Sequence, residues 1–316
     1  MLLTASGATY AQILPSAVSI TSSPSSPSPG QKFTVTAGTP STDKNTTTFT
    51  WTVDGKRRAD LSGMGKNSFE LTAGEVGSLT RVSVTATQAG KPIGASALNI
   101  RVSDLSLVWV AETLVPQWYK GKALPSPGSI VSVAAIPQIM VGGKTISPKN
   151  LIYQWGLDDE EKTRVGVGED IFRIKTSDLP RSLHHVTLTV EDTGRTVKKS
   201  GEIFIEPLAP RLVIYHSTPL GGVDPRSAQS FFFIKLRGLV DFVAEPFFFP
   251  VKSRNELSFR WSVAGLDATG APENPHVLTL DTSQRQPGEV PIETVVSWKG
   301  GFIPIITTRT LTLLLQ

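Results

Sequence analysis

Phe49-Thr-Trp51-Thr-Val53-Asp-Gly55, Tyr153-Gln-Trp155-Gly-Leu157-Asp158 and Phe259-Arg-Trp261-Ser-Val263-Ala-Gly265 are three versions of one segment. In each, apolar residues alternate around a central tryptophan at period two, the pattern of a strand with one buried face. The tryptophans lie 104 and 106 residues apart. The chain therefore repeats at the length of one small two-sheet domain, ~100 residues.

The flanks repeat as well. Upstream, Pro27-Ser-Pro29-Gly30 leads into Phe33-Thr-Val35, and Pro125-Ser-Pro127-Gly128 leads into Ile130-Val-Ser-Val133. In the third copy Asp224-Pro225 precedes Phe231-Phe-Phe-Ile234, which takes the same place as second strand. Downstream, Asn67-Ser-Phe69-Glu-Leu71 matches Asp170-Ile-Phe172-Arg-Ile174 and His276-Val-Leu278-Thr-Leu280. Val82-Ser-Val84, Val186-Thr-Leu188 and Thr294-Val-Val296 follow, each before a glycine turn and a closing strand. Five strands in register across three copies predict three tandem Ig-like or PKD-like β-sandwiches, an all-β chain. Trp51, Trp155 and Trp261 are then core plugs, each burying ~200 Å² of mostly apolar surface. The expected divisions are 1–16, a signal-peptide remnant or flexible terminus, then domains at 17–103, 104–207 and 208–316. The connection between second strand and Trp strand reads as lengthening from the first copy to the third.

Residues 23–37 and Trp51-Thr-Val-Asp-Gly-Lys56 resemble bacterial Ig-like and PKD-like repeats. Pro116-Gln-Trp-Tyr-Lys-Gly-Lys-Ala-Leu-Pro125 and Ala244-Glu-Pro-Phe-Phe-Phe-Pro250 are similar to stretches of an uncharacterised family of surface proteins from small-genome, candidate-phylum bacteria. That resemblance implies an envelope-associated protein near pilus or secretion machinery, and it supplies no catalytic or binding residues.

Composition agrees with short strands joined by turns: 18% charged residues, 27 Gly and 23 Pro. The net charge of +4 is spread without a dense Lys/Arg stripe, which argues against a nucleic-acid partner. With no cysteine, disulfides, thiolate metal sites and cysteine nucleophiles are excluded, and the balance tilts toward a bacterial source. Small residues Thr9 and Ala11 before Gln12 match the cleavage end of a signal peptide, though its basic and apolar regions are lacking. No apolar run reaches the ~18 residues of a membrane-spanning helix.

Motifs for chemistry are scarce. Ser62-Gly-Met-Gly65 lacks the strand-to-helix setting of a nucleophile elbow, and Gly166-Val-Gly168 is too short to cradle phosphate. No enzyme is expected. His184 and His185, adjacent on a strand, point to opposite faces and cannot share a metal. The acidic run Asp158-Asp159-Glu160-Glu161 reads as a solvated turn, with Ca²⁺ at Asp158 and Asp159 as the weaker alternative because the alternating ligand pattern is missing. Trp118-Tyr119-Lys120 lies outside the repeated positions and is the candidate ligand or partner loop. Its aromatics could stack on a sugar, but packing on their own or a neighbouring sandwich is favoured. Phe247-Phe248-Phe249 poses the same choice between exposure and cover by the second domain.

The expected function is an exported, non-catalytic scaffold or adhesion protein of the cell envelope, with other surface proteins as partners. The alternative is a glycan- or protein-binding module built on Trp118 and Tyr119. The short linkers Val102-Ser-Asp104 and Glu206-Pro-Leu-Ala-Pro210 predict a semi-rigid array.

Overall fold

The computed structural model describes residues 18–40, 42–218, 221–228, 230–235, 238–268 and 273–316. The stretch 1–16, with its signal-peptide reading, lies outside the described residues. Everything described is strand, turn or short 3-10 helix. No helix among the described residues is long and apolar enough to cross a membrane.

Three two-sheet sandwiches follow one another. The first comprises β1 (Ser19–Ser23), β2 (Lys32–Gly38), β3 (Thr47–Val53), β4 (Lys56–Arg57), β5 (Gly63–Met64), β6 (Ser68–Thr72), β7 (Leu79–Gln88) and β8 (Lys91–Arg101). The second has β9 (Asp104–Glu112), β10 (Ile130–Gln138), β11 (Met140–Val141), β12 (Lys144–Thr145) and β13 (Leu151–Leu157). It continues with β14 (Glu160–Val167), β15 (Ile171–Lys175), β16 (His184–Asp192) and β17 (Lys198–Ile205). The third has β18 (Arg211–Thr218), β19 (Gly222–Val223), β20 (Phe231–Ile234), β21 (Leu239–Phe247) and β22 (Ser258–Val263). Its remaining strands are β23 (Leu266–Ala268), β24 (Val277–Asp281), β25 (Gly288–Trp298) and β26 (Ile305–Leu315).

Each sandwich pairs a Trp sheet with a companion sheet. The Trp sheets run β4-β3-β7-β8, β14-β13-β16-β17 and β20-β26-β25-β22-β23; the companions run β1-β2-β6, β15-β10-β9 and β19-β18-β21-β24. The architecture is tandem Ig-like, without a disulfide. Each sandwich has its own apolar core, centred on Trp51, Trp155 or Trp261, all essentially inaccessible to solvent.

One device ties the two sheets together in every copy. The indole N–H of Trp51 donates to the carbonyl of Lys66 at 2.9 Å, that of Trp155 to Glu169 at 2.7 Å, and that of Trp261 to Pro275 at 3.0 Å. Each acceptor lies two residues ahead of the companion-sheet strand β6, β15 or β24. The next carbonyl along, of Asn67, Asp170 or His276, accepts at 2.8 Å from the buried backbone N–H of Ala37, Ala135 or Ala244. The segment before that strand is thus pinned by the Trp from one sheet and an alanine from the other. A tryptophan that satisfies its only donor deep in the core is stable as a plug.

Those alanines correct the reading of the third copy. Ala244 lies on β21, so β21, not Phe231–Ile234, is the equivalent of β2 and β10. Phe231–Ile234 instead forms β20, which pairs parallel to the last strand, with Phe231 opposite Thr312 and Ile234 opposite Leu315. Only Phe232 of its aromatics turns inward; Phe231 and Phe233 are exposed. The expected lengthening of the following connection is also overturned. From the alanine to the Trp the distances are 14, 20 and 17 residues, longest in the second sandwich, where the β11–β12 hairpin is inserted.

The turn after each Trp strand uses a left-handed residue: Asp54 (φ 49°), Asp158 (φ 54°) and Ala264 (φ 52°). Each donates its N–H at 2.8 Å to the neighbouring strand, to the carbonyl of Arg81, His185 or Pro291. Asp54 and Asp158 also accept the N–H of Arg81 at 2.8 Å and of His185 at 3.0 Å. Pro291 has no N–H to offer, so a carboxylate there would have no backbone donor to accept from, and alanine serves.

Candidate functional site

The Trp118 loop follows β9 and crosses to the third sandwich. Leu114 donates to the carbonyl of Phe249 at 2.8 Å and accepts from Phe248 N–H at 2.7 Å, a bridge between the two sandwiches. Phe248 holds φ 65°, a strained conformation for a bulky residue that survives where its surroundings over-determine it. The reversal lets Phe247 and Phe248 both face the loop while Phe249 enters the core of its own sandwich. All three are buried. No regular strand could hide three consecutive aromatics this way.

Trp118 sits edge-on to Tyr215 and Phe247, with centroids 5.4 and 6.0 Å apart. Tyr119 sits edge-on to Phe247 and Phe248 at 5.5 and 5.9 Å. Such T-shaped pairs add about 0.5–1.5 kcal/mol each beyond burial. Both aromatics are half-buried, and Lys120 is exposed. Gly121 is needed as glycine, since a Cβ there would collide with the Tyr119 hydroxyl end. The Lys122 ammonium stands 3.1 Å from the Trp109 ring centroid, and burial lowers its pKa. Two further contacts complete this joint: Leu208 N–H to the Pro125 carbonyl at 2.8 Å, and Phe302 N–H to the Asp178 carboxylate at 2.7 Å.

Beside the loop runs a cleft of about 680 Å³, bordered by Trp118, Gln117 and Leu114 on one side and Glu245, Arg254 and His276 on the other. Glu245 is buried, and both its oxygens accept from Arg254 Nη2, at 2.9 and 2.7 Å. Burial pushes the Glu245 carboxyl up, against the pull of Arg254. His276 has its Nε2 3.4 Å from Arg254 Nη1; burial, then the nearby guanidinium, lowers its pKa. The pair is anchored by Ser253, whose hydroxyl caps the Arg254–Glu256 turn in a capping box. Sequence reading did not reach this trio, whose members are 9 to 31 residues apart and carry no motif.

The first joint is built differently. Lys199, buried on β17, donates at 2.9 Å to the Ser26 carbonyl and at 2.8 Å to the Ser28 hydroxyl. Burial lowers its pKa, and Asp104 draws it back up. Ser103 N–H reaches the Pro27 carbonyl at 3.2 Å, and its hydroxyl accepts from Met140 of the inserted hairpin at 3.3 Å.

The remaining candidates are engaged within the protein. His184 is buried, accepting from Ser177 N–H at 2.9 Å and facing Asp158 Oδ2 at 3.2 Å, whereas His185 on the opposite face is half-buried and stacks on Phe204. Both Asp158 oxygens are thereby occupied, and Asp159 is exposed on the turn. The Ser62 hydroxyl donates to the Arg58 carbonyl at 2.6 Å and accepts from Trp51 N–H at 2.9 Å.

No family model and no curated protein matches the chain. Among solved structures it is similar to the three N-terminal domains of the highly immunogenic outer capsid protein Hoc of bacteriophage RB49. The identity is 12%, over 96% of this chain and 99% of that one, with a TM-score of 0.26. It is also similar to the ICAM-5 D1–D4 ectodomain fragment at 14% identity, covering 95% and 76% of the two chains, with a TM-score of 0.22. A third is SGBP-B of the Bacteroides ovatus mixed-linkage glucan utilization locus, in complex with a mixed-linkage heptasaccharide. There the identity is 11%, the coverage 91% and 64%, and the TM-score 0.21.

Proposed function

We propose that the chain is a non-catalytic, exported scaffold or adhesion element of the cell envelope. Its sandwiches at 17–103, 104–207 and 208–316 would be held in fixed sequence by their joints. The observation that carries this reading is the aromatic joint: Trp118 and Tyr119, the residues best suited to hold a ligand, are spent on Tyr215, Phe247 and Phe248. Rings set edge-on and half-buried hold domains together; a sugar platform needs an open face. The alternative, a glycan or protein ligand taken at the Trp118 loop, is favoured only by the cleft beside it. Proximity labelling by the tagged chain in its native cells tests the scaffold reading. Envelope and surface proteins are the expected neighbours; a cytoplasmic set overturns it.

A further inference from the structure

The outer faces of the three companion sheets differ in kind. In the first sandwich that face shows Thr21, Thr34, Thr36, Ser68 and Glu70, polar residues suited to water. In the third it shows Val213, Tyr215 and Phe247, and the Trp118 loop covers them. In the second it shows Val108 and Val110 on β9, Ile136 on β10 and Ile171 on β15, with exposures of 45%, 61%, 48% and 51%. The fold does not require apolar side chains there, since the first sandwich manages with threonine. Where this chain makes the face apolar and its cover is described, a neighbouring sandwich covers it. A contiguous bare apolar face marks an interaction surface.

We propose that this face docks a second copy of the chain, sheet upon sheet, about a two-fold axis parallel to the strands. The register supplies the argument. Val108, Ala134 and Ile171 form one row across the sheet, Val110, Ser132 and Arg173 the next, and Glu112, Ile130 and Lys175 the third. Such an axis lays β15 of one copy over β9 of the other at the same height. Ile171 then meets Val108, Ala134 meets Ala134, and Lys175 meets Glu112, twice per dimer. Arg173 stays on its own Glu112, as observed, with its aliphatic stem over the partner copy's valine row. Acid on one edge strand and base on the other make the patch complementary to itself, whereas a partner of one charge sign would meet its like at one edge.

Three strands about 4.8 Å apart and five residues long give a footprint of roughly 14 by 16 Å. That is small for a stable interface, so the association is weak and concentration-dependent, gaining when chains are held on one surface. Sedimentation equilibrium of the whole chain, up to about 1 mM at low salt, tests it. The expected result is a reversible monomer–dimer equilibrium that Val110→Lys weakens at least about tenfold. Val110→Thr, which copies the first sandwich, weakens it less, and circular dichroism shows both variants folded. Lys175→Glu and Glu112→Lys each weaken it, and the double exchange restores it. A chain that stays monomeric throughout, even one that captures a different protein, overturns the proposal. So does a dimer indifferent to Val110→Lys, and failure of the double exchange to exceed the singles overturns the two-fold arrangement.

Discussion

The two joints solve the same problem with opposite chemistry. Between the first and second sandwiches the contact is polar: a buried ammonium on Ser26 and Ser28, a linker serine and an inserted hairpin. Between the second and third it is aromatic, five rings meeting edge-on around a backbone bridge. Polar joints depend on each donor finding its acceptor, and their net worth is about 1 kcal/mol per bond. Aromatic joints gain from area and tolerate small shifts. The second joint is therefore the stronger and the first the more geometrically exacting.

The largest effect should come from Phe247→Ala, which empties the centre of the aromatic joint. A loss of about 3–5 kcal/mol is expected for the third sandwich, read as a lower denaturant midpoint for its transition while the first sandwich's is unmoved. Trp118→Ala, on the other side and only half-buried, should cost about 2–3 kcal/mol in the same assay. Lys199→Met keeps the stem but leaves the Ser26 carbonyl without its donor. It should cost about 1–2 kcal/mol and raise amide exchange at Ser26 and Ser28 without touching residues 247–249. If Lys199→Met costs more than Phe247→Ala, the ranking of the joints is wrong. Next, Asp158→Ala should lose about 1 kcal/mol, whereas Ala264→Asp should change stability little, because Pro291 has no N–H to donate.

The smallest effect is one of pH. His276 has a lowered folded pKa, so below its unfolded value near 6.5 the unfolded chain takes up a proton that the folded one resists. Stability of the third sandwich is intact above that pH and falls as pH drops toward the folded pKa. Glu245, with a raised folded pKa, acts oppositely: its contribution worsens as pH rises above the unfolded value. His276→Gln isolates the first slope. The stability difference between wild type and variant should shrink on acidification from neutral pH, while the first joint shows no such dependence.

What the sequence made legible was whatever the fold needs in every copy. The Trp strands, the strands that follow them and the glycine turns are set by local alternation and turn chemistry, and they sit where the pattern puts them. Phe231–Ile234 mimics a second strand because a Pro turn before an apolar run is a weak marker; the better one is the buried alanine, Ala244, whose role shows only once its acceptor carbonyl is known. The aromatic joint was half legible. Trp118, Tyr119, Phe247 and Phe248 stand out as residues the repeated core does not claim, but pairing segments over 120 residues apart requires the fold. The apolar face had a local sign in the unbroken run Leu107-Val-Trp-Val-Ala111, five residues long where a strand with one wet face should alternate.

The Asp54, Asp158 and Ala264 turns bear on how such an array assembles. Tandem copies of one fold risk exchanging strands with their neighbours while folding, because each strand finds a near-equivalent partner next door. If β25 of the third sandwich paired against β3 or β13, the carboxylate of Asp54 or Asp158 would face Pro291 and lose its donor. The reverse exchange would leave the N–H of Arg81 or His185 opposite a methyl group. One proline and one alanine thus make these exchanges with the third sandwich a poorer fit than its own pairing, whereas the first two sandwiches share the same aspartate turn.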